Sequence, residues 1–123
     1  MSVSDDPKQL REELQREYGV SLPGLSCYPG WERLLRQFLD EAKAAGELDG
    51  LKVLQIKEKL GELRIYHNGS RYLQHVSRKL ADLSTEVCEA CGGEGEFRTD
   101  GGLYRTLCQS CEDERLREAR NRT

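Results

Sequence analysis

Two C-x2-C pairs, Cys88-Glu89-Ala90-Cys91 and Cys108-Gln109-Ser110-Cys111, are separated by 16 residues and constrain this chain more than any other feature. A C-x2-C turn sets two thiolates on one side of an ion, and a second pair completes a tetrahedron once the chain folds back. The residues between suit that return. Gly92 and Gly93 follow the first pair, residues 99–102 read as a turn, and residues 95–98 and 103–107 supply short strands. The spacing predicts one structural Zn²⁺ held by Cys88, Cys91, Cys108 and Cys111. Two redox pairs are the other reading, but neither pair sits in the strand-to-helix setting of a thioredoxin motif.

After Cys111 the run from Glu112 to Arg120 favours helix, with acidic residues opening it and basic residues closing it, as the helix dipole prefers. A knuckle, a hairpin and a helix carrying the last ligands in its first turn resemble a treble-clef zinc finger. Residues 88–123 are read as this zinc-binding module. It has only Phe97, Leu103, Tyr104, Leu107 and Leu116 to bury, so metal binding, worth about 10–16 kcal/mol in zinc-finger peptides, supplies most of its folding energy. A closed four-thiolate site leaves no coordination position for water, so no metal hydroxide chemistry is expected from it.

Residues 1–87 read as an ααββα core. Leu10, Leu14 and Tyr18 recur at helical spacing over residues 6–18, with Pro7 in the first turn, Asp5 and Asp6 at the positive end of the dipole, and Gly19 and Val20 closing it. A Pro/Gly loop follows. Trp31, Leu34, Leu35, Phe38, Leu39 and Ala42 then mark the core-facing stripe of a second helix over residues 30–45, ended by Gly46. Residues 51–58 read as a strand with Leu54 and Ile56 on one face, and residues 63–67 as a second with Leu63 and Ile65 inward. Gly61 supplies positive φ to the turn between them. Ser70 caps a third helix reaching Ser84, whose buried stripe is Tyr72, Leu73, Val76, Leu80 and Leu83. The fold class is α+β with an appended finger.

Charge is uneven along the chain. Residues 1–50 hold six basic and ten acidic side chains, residues 51–87 seven and four, and residues 88–123 six and eight. The acidic first part could dock on a basic protein surface. The basic middle offers Lys57, Lys59 and Arg64 around the hairpin turn and Arg71, Arg78 and Lys79 on the outer face of the third helix. Together they form a candidate surface for a partner or for phosphates. The longest uncharged stretch, Tyr18 to Trp31, carries two prolines and three glycines, well short of the ~20 apolar residues of a membrane span. With no signal-like start and with cysteines in metal-ligand spacing, the expected setting is the cytoplasm. His67 and His75 have no ligand partner at helical spacing, and Cys27 has no adjacent base. His67-Asn68 is a dipeptide also found in HNH endonucleases, but no second catalytic histidine accompanies it. No enzymatic activity and no small-molecule substrate are expected.

The string from Val53 to Tyr66, with Gly30-Trp31 before it and the cysteine pairs after it, resembles a family of small phage and prophage proteins. There a Gly-Trp helix, a Lys-Glu-Lys-x-Gly-x-Leu-Arg-x-Tyr hairpin and a C-terminal cysteine module recur. The chain departs from the pattern at Leu60 and Glu62, where an aromatic and a small residue are more usual. The resemblance implies a mobile-element protein that binds and modulates a host protein or protein–nucleic-acid complex, a defence system among them. Direct nucleic-acid binding through residues 52–79 is the alternative.

Overall fold

The computed structural model describes residues 7–27, 29–99 and 103–121. The dipole role of Asp5 and Asp6, and residues 100–102 of the expected turn, lie outside that set. The described residues are α+β: helices α1 (Pro7–Tyr18), α2 (Glu32–Ala44), α3 (Arg71–Ser84) and α4 (Gln109–Asn121), with antiparallel hairpins β1 (Val53–Lys59)–β2 (Glu62–His67) and β3 (Glu96–Arg98)–β4 (Arg105–Leu107).

Local chemistry ends α1 and α2 and begins α3. Gly19, at φ 68°, donates its amide to the Gln15 carbonyl and ends α1, with Val20 buried beyond it. A single 3₁₀ turn, Pro29–Trp31, precedes α2. That helix ends in a Schellman motif: Glu47 N–H reaches the Ala42 carbonyl at 2.9 Å and Gly46 N–H the Lys43 carbonyl at 3.1 Å, with Gly46 at φ 71°. Ser70 caps α3 by accepting from Leu73 N–H. All six residues of the expected stripe are buried, Trp31 in the 3₁₀ turn and Leu34, Leu35, Phe38, Leu39 and Ala42 on α2. They pack with Leu10 and Leu14 of α1, Leu73, Val76 and Leu80 of α3 and the inner face of the hairpin.

The hairpin closes in two residues, Leu60 and Gly61, at φ 54° and 80°, between the paired Lys59 and Glu62. Two positive φ values make this a type I′ turn, whose twist matches that of the strands. Strand β2 alternates as expected, Leu63 and Ile65 inward and Tyr66 outward. Strand β1 does not. Its register shifts between Val53 and Gln55, so Leu54 is the extra residue of a bulge and is 63% exposed; Val53 and Ile56 face the core instead.

Two further expectations are corrected. Tyr72 and Leu83 are exposed rather than part of the α3 stripe; Ser77, Ala81 and Ser84 are the residues buried beside Leu73, Val76 and Leu80. Tyr72 turns outward because its hydroxyl donates to the Glu41 carboxylate on α2. Of the five apolar side chains expected to pack the cysteine segment only Leu107 is buried, while Phe97, Leu103, Tyr104 and Leu116 remain substantially exposed. No helix among the described residues is long and apolar enough to cross a membrane.

Candidate metal centre

The four sulfurs of Cys88, Cys91, Cys108 and Cys111 all lie within 4.8 Å of one another, and among the described residues they are the one cluster able to hold a metal ion. Sulfurs about 2.3 Å from a common tetrahedral ion stand about 3.8 Å apart. Cys91 Sγ and Cys108 Sγ are 3.8 Å apart. The set therefore fits a single four-thiolate ion.

Local backbone builds the site. The knuckle turns tightly because Cys88 N–H donates to the Gly93 carbonyl and Gly92 N–H to the Cys88 carbonyl, both at 2.8 Å, with Gly92 at φ 83°. The second pair opens α4, and each pair directs an amide at a sulfur: Gly93 N–H to Cys91 Sγ and Cys111 N–H to Cys108 Sγ, both at 3.4 Å. The electrostatics favour a cation. Burial pushes the Cys88 thiol up, but amides of Cys108, Cys91 and Ala90 aimed at its sulfur bring it down to about 7. Burial and the neighbouring sulfurs of Cys108 and Cys88 hold the Cys111 thiol far above its ordinary value. Four crowded sulfurs cannot all ionise until a positive ion neutralises them.

The site is fastened to the core. Gly30 N–H donates to the Glu89 carbonyl at 3.0 Å, and Trp31 Nε1–H donates to the Val87 carbonyl at 2.8 Å. The Glu89 side chain is fully buried, accepting from Thr106 N–H at 3.0 Å and from the Arg105 guanidinium. Burial raises its carboxyl, and Thr106 N–H and Arg105 oppose that. Thr106 Oγ1 in turn donates to the Gly61 carbonyl at 2.7 Å, tying the finger to the tip of the β1–β2 hairpin. Glu89 is a key residue that sequence reasoning passed over as an ordinary spacer between ligands.

The basic residues divide between two sides of α3. Lys57, Lys59 and Arg64 share the outward face of the hairpin, with Lys57 opposite Arg64 and Lys59 opposite Glu62. The Lys57 ammonium lies 5.7 Å from the Tyr66 ring centre. Arg64 and Arg78 line a groove between β2 and α3 together with Glu62 and Asp82. Lys79 lines a separate groove between α2 and α3 with Glu41, and Arg71 is exposed in the first turn of α3.

The remaining titratable candidates are accounted for locally. His67 is only 8% exposed; its Nδ1 accepts from Gly69 N–H and its Nε2 lies 3.0 Å from Ser77 Oγ. His75 is exposed on α3. Cys27 is fully buried, and burial pushes its thiol up to about 12, which makes it a poor nucleophile. No family model, no curated protein and no solved structure matches this chain.

Proposed function

We propose that this is a non-enzymatic, zinc-stabilised binding protein, encoded by a phage or other mobile element, that docks on a host protein or nucleoprotein machine and modulates it. The observation that carries the reading is where the sulfur cluster is placed. A closed four-thiolate ion offers no coordination site to a substrate, and this one is joined through Glu89, Gly30 and Thr106 to both the core and the hairpin tip. Its role is that of a staple that holds surfaces in place. Zinc is the ion that a tetrahedral thiolate set of this spacing suits.

What the staple holds supports binding. Leu60, Phe97, Leu103 and Tyr104 are all exposed, Phe97 is stacked with Tyr104, and Phe97 closes against Gly61 beside Leu60. Apolar side chains gathered from two hairpins at one end of a small protein suit a protein partner. The second reading, direct nucleic-acid binding, draws on Lys57 and Tyr66 side by side on the cationic face of the hairpin.

The deciding experiment passes the tagged protein through a bacterial lysate with and without nuclease. Retention of one host complex that survives nuclease supports the protein-directed reading. Retention abolished by nuclease replaces it with the nucleic-acid reading. No specific retention in either case counts against both.

A further inference from the structure

The two edges of the β1–β2 hairpin are treated differently. The far edge of β1 is met by the loop before α2: Leu25 bridges Ile56, and Ser26 N–H donates to the Ile56 carbonyl at 2.9 Å. The Ile56 carbonyl therefore points away from β2. Since Ile56 stands opposite Ile65, this is a pair whose backbone groups face outward on both strands. Ile65 directs its N–H and C=O toward α3.

Along that edge α3 satisfies the ends of β2. Leu63 N–H donates to Ser84 Oγ at 2.9 Å, and the His67 carbonyl accepts from Gln74 Nε2 at 2.9 Å. Among the described residues no group meets the N–H or C=O of Ile65 between them. Those two groups face a groove of about 610 Å³ walled by β2 and by Ser77, Arg78 and Ala81 of α3. A strand edge left open at its centre is a template for another strand.

The geometry points to the open edge of β2 as the docking strip for an extended segment of a protein partner in which small apolar and acidic residues alternate. This deepens the binding-protein reading and rests on it for the existence of such a partner. In an added antiparallel strand, the residue opposite Ile65 exchanges both backbone bonds with it and turns its side chain inward, toward Ala81, where a small apolar group fits. Its neighbours turn outward beside Arg64 and Tyr66. There Lys57, Lys59 and Arg64 share the outward face with Glu62, and on the helix wall Arg78 stands with Asp82, so basic residues outnumber acidic ones four to two and acidic side chains are favoured.

The probe is an acetylated, amidated heptapeptide of alternating valine and glutamate, added to the full zinc-loaded chain and followed by amide hydrogen exchange. In the free chain the Ile65 amide should exchange about tenfold faster than those of Arg64 and Tyr66, and the peptide should slow it by about that factor. N-methylation of the valines should abolish binding, whereas N-methylation of the glutamates should not. Arg78→Glu should weaken binding about tenfold and favour the valine–lysine peptide instead. An Ile65 amide already as protected as its neighbours, binding indifferent to valine N-methylation, or no binding would overturn the proposal. So would oligothymidylate acting at Ile65 in place of the peptide. If the lysate yields a host complex but the peptide leaves Ile65 unchanged, the docking strip fails and the binding-protein reading stands. Peptide binding at Ile65 without any retained host complex has the opposite meaning.

Discussion

The backbone of Gly30 lies flat against that of Glu89, its amide donating to the Glu89 carbonyl at 3.0 Å. One residue on, Trp31 binds the Val87 carbonyl from inside the core. Two contacts from one 3₁₀ turn thus grip the chain on either side of Cys88, the first of the four clustered cysteines. The cysteine segment is fastened to the core, so an ion held by the four sulfurs would act on residues remote from them.

Metal removal should therefore be visible at Trp31, the single tryptophan of the chain. Chelation should unfold residues 88–120 and shift tryptophan emission to the red, because Nε1 loses the Val87 carbonyl and gains water. Cys91→Ser should do the same. Cys91 is exposed, so the exchange of sulfur for oxygen removes little packing and acts through the ion, whose binding is worth about 10–16 kcal/mol in comparable peptides. Unchanged emission and unchanged protease resistance after both treatments would contradict a structural metal.

Gly30→Ala should be among the most damaging single substitutions. A Cβ at this position would stand 2.3 Å from the Cys88 carbonyl oxygen and 2.4 Å from the Glu89 carbonyl, both backbone atoms that cannot swing aside. The expected loss is about 3 kcal/mol in denaturant unfolding, with weaker zinc retention against a competing chelator. Wild-type values for both would mean that the knuckle is free to move off the 3₁₀ turn.

Features set by local spacing were legible in the sequence. The stripe from Trp31 to Ala42, the cap at Ser70, the turn at Gly61 and each C-x2-C pair depend on residues a few positions apart. Leu54 was misread because a bulge is a property of strand pairing: the pattern Val53-Leu54-Gln55-Ile56 alternates well enough until register with His67 and Tyr66 is imposed. Tyr72 was misread because its polar end found Glu41 on another helix. Glu89 gave no signal, since a carboxylate becomes a buried strut only when Arg105 and Thr106 return to it across the finger.

Stability should fall in mildly acidic solution through His67. Burial beside Phe38 holds its imidazole below the ordinary value of 6.5, with Glu47 opposing weakly. The unfolded chain therefore takes up this proton at higher pH than the folded chain does. The contribution is complete above about pH 6.5 and is lost progressively as pH falls from there to the depressed folded value. Urea midpoints measured across this window should slope downward toward acid, and His67→Gln should flatten the slope. A wild-type slope retained in the variant would assign the effect elsewhere.

Leu60 sits where the turn would be better served by another residue. The first position of a type I′ turn requires positive φ, which asparagine and glycine accept readily and a leucine Cβ resists by about 1 kcal/mol. Leu60 adopts φ 54° nonetheless and is 58% exposed, so neither its backbone nor its burial repays the choice within the chain. Its neighbour Gly61 is pressed against Phe97 and the Arg105 backbone, which places Leu60 at the rim of the exposed Phe97–Tyr104 pair. Leu60→Asn should therefore raise the melting temperature by about 4 °C while reducing retention of the proposed host partner. A gain in stability with undiminished retention would remove Leu60 from the docking surface. A lower melting temperature would show that the leucine is held by packing instead.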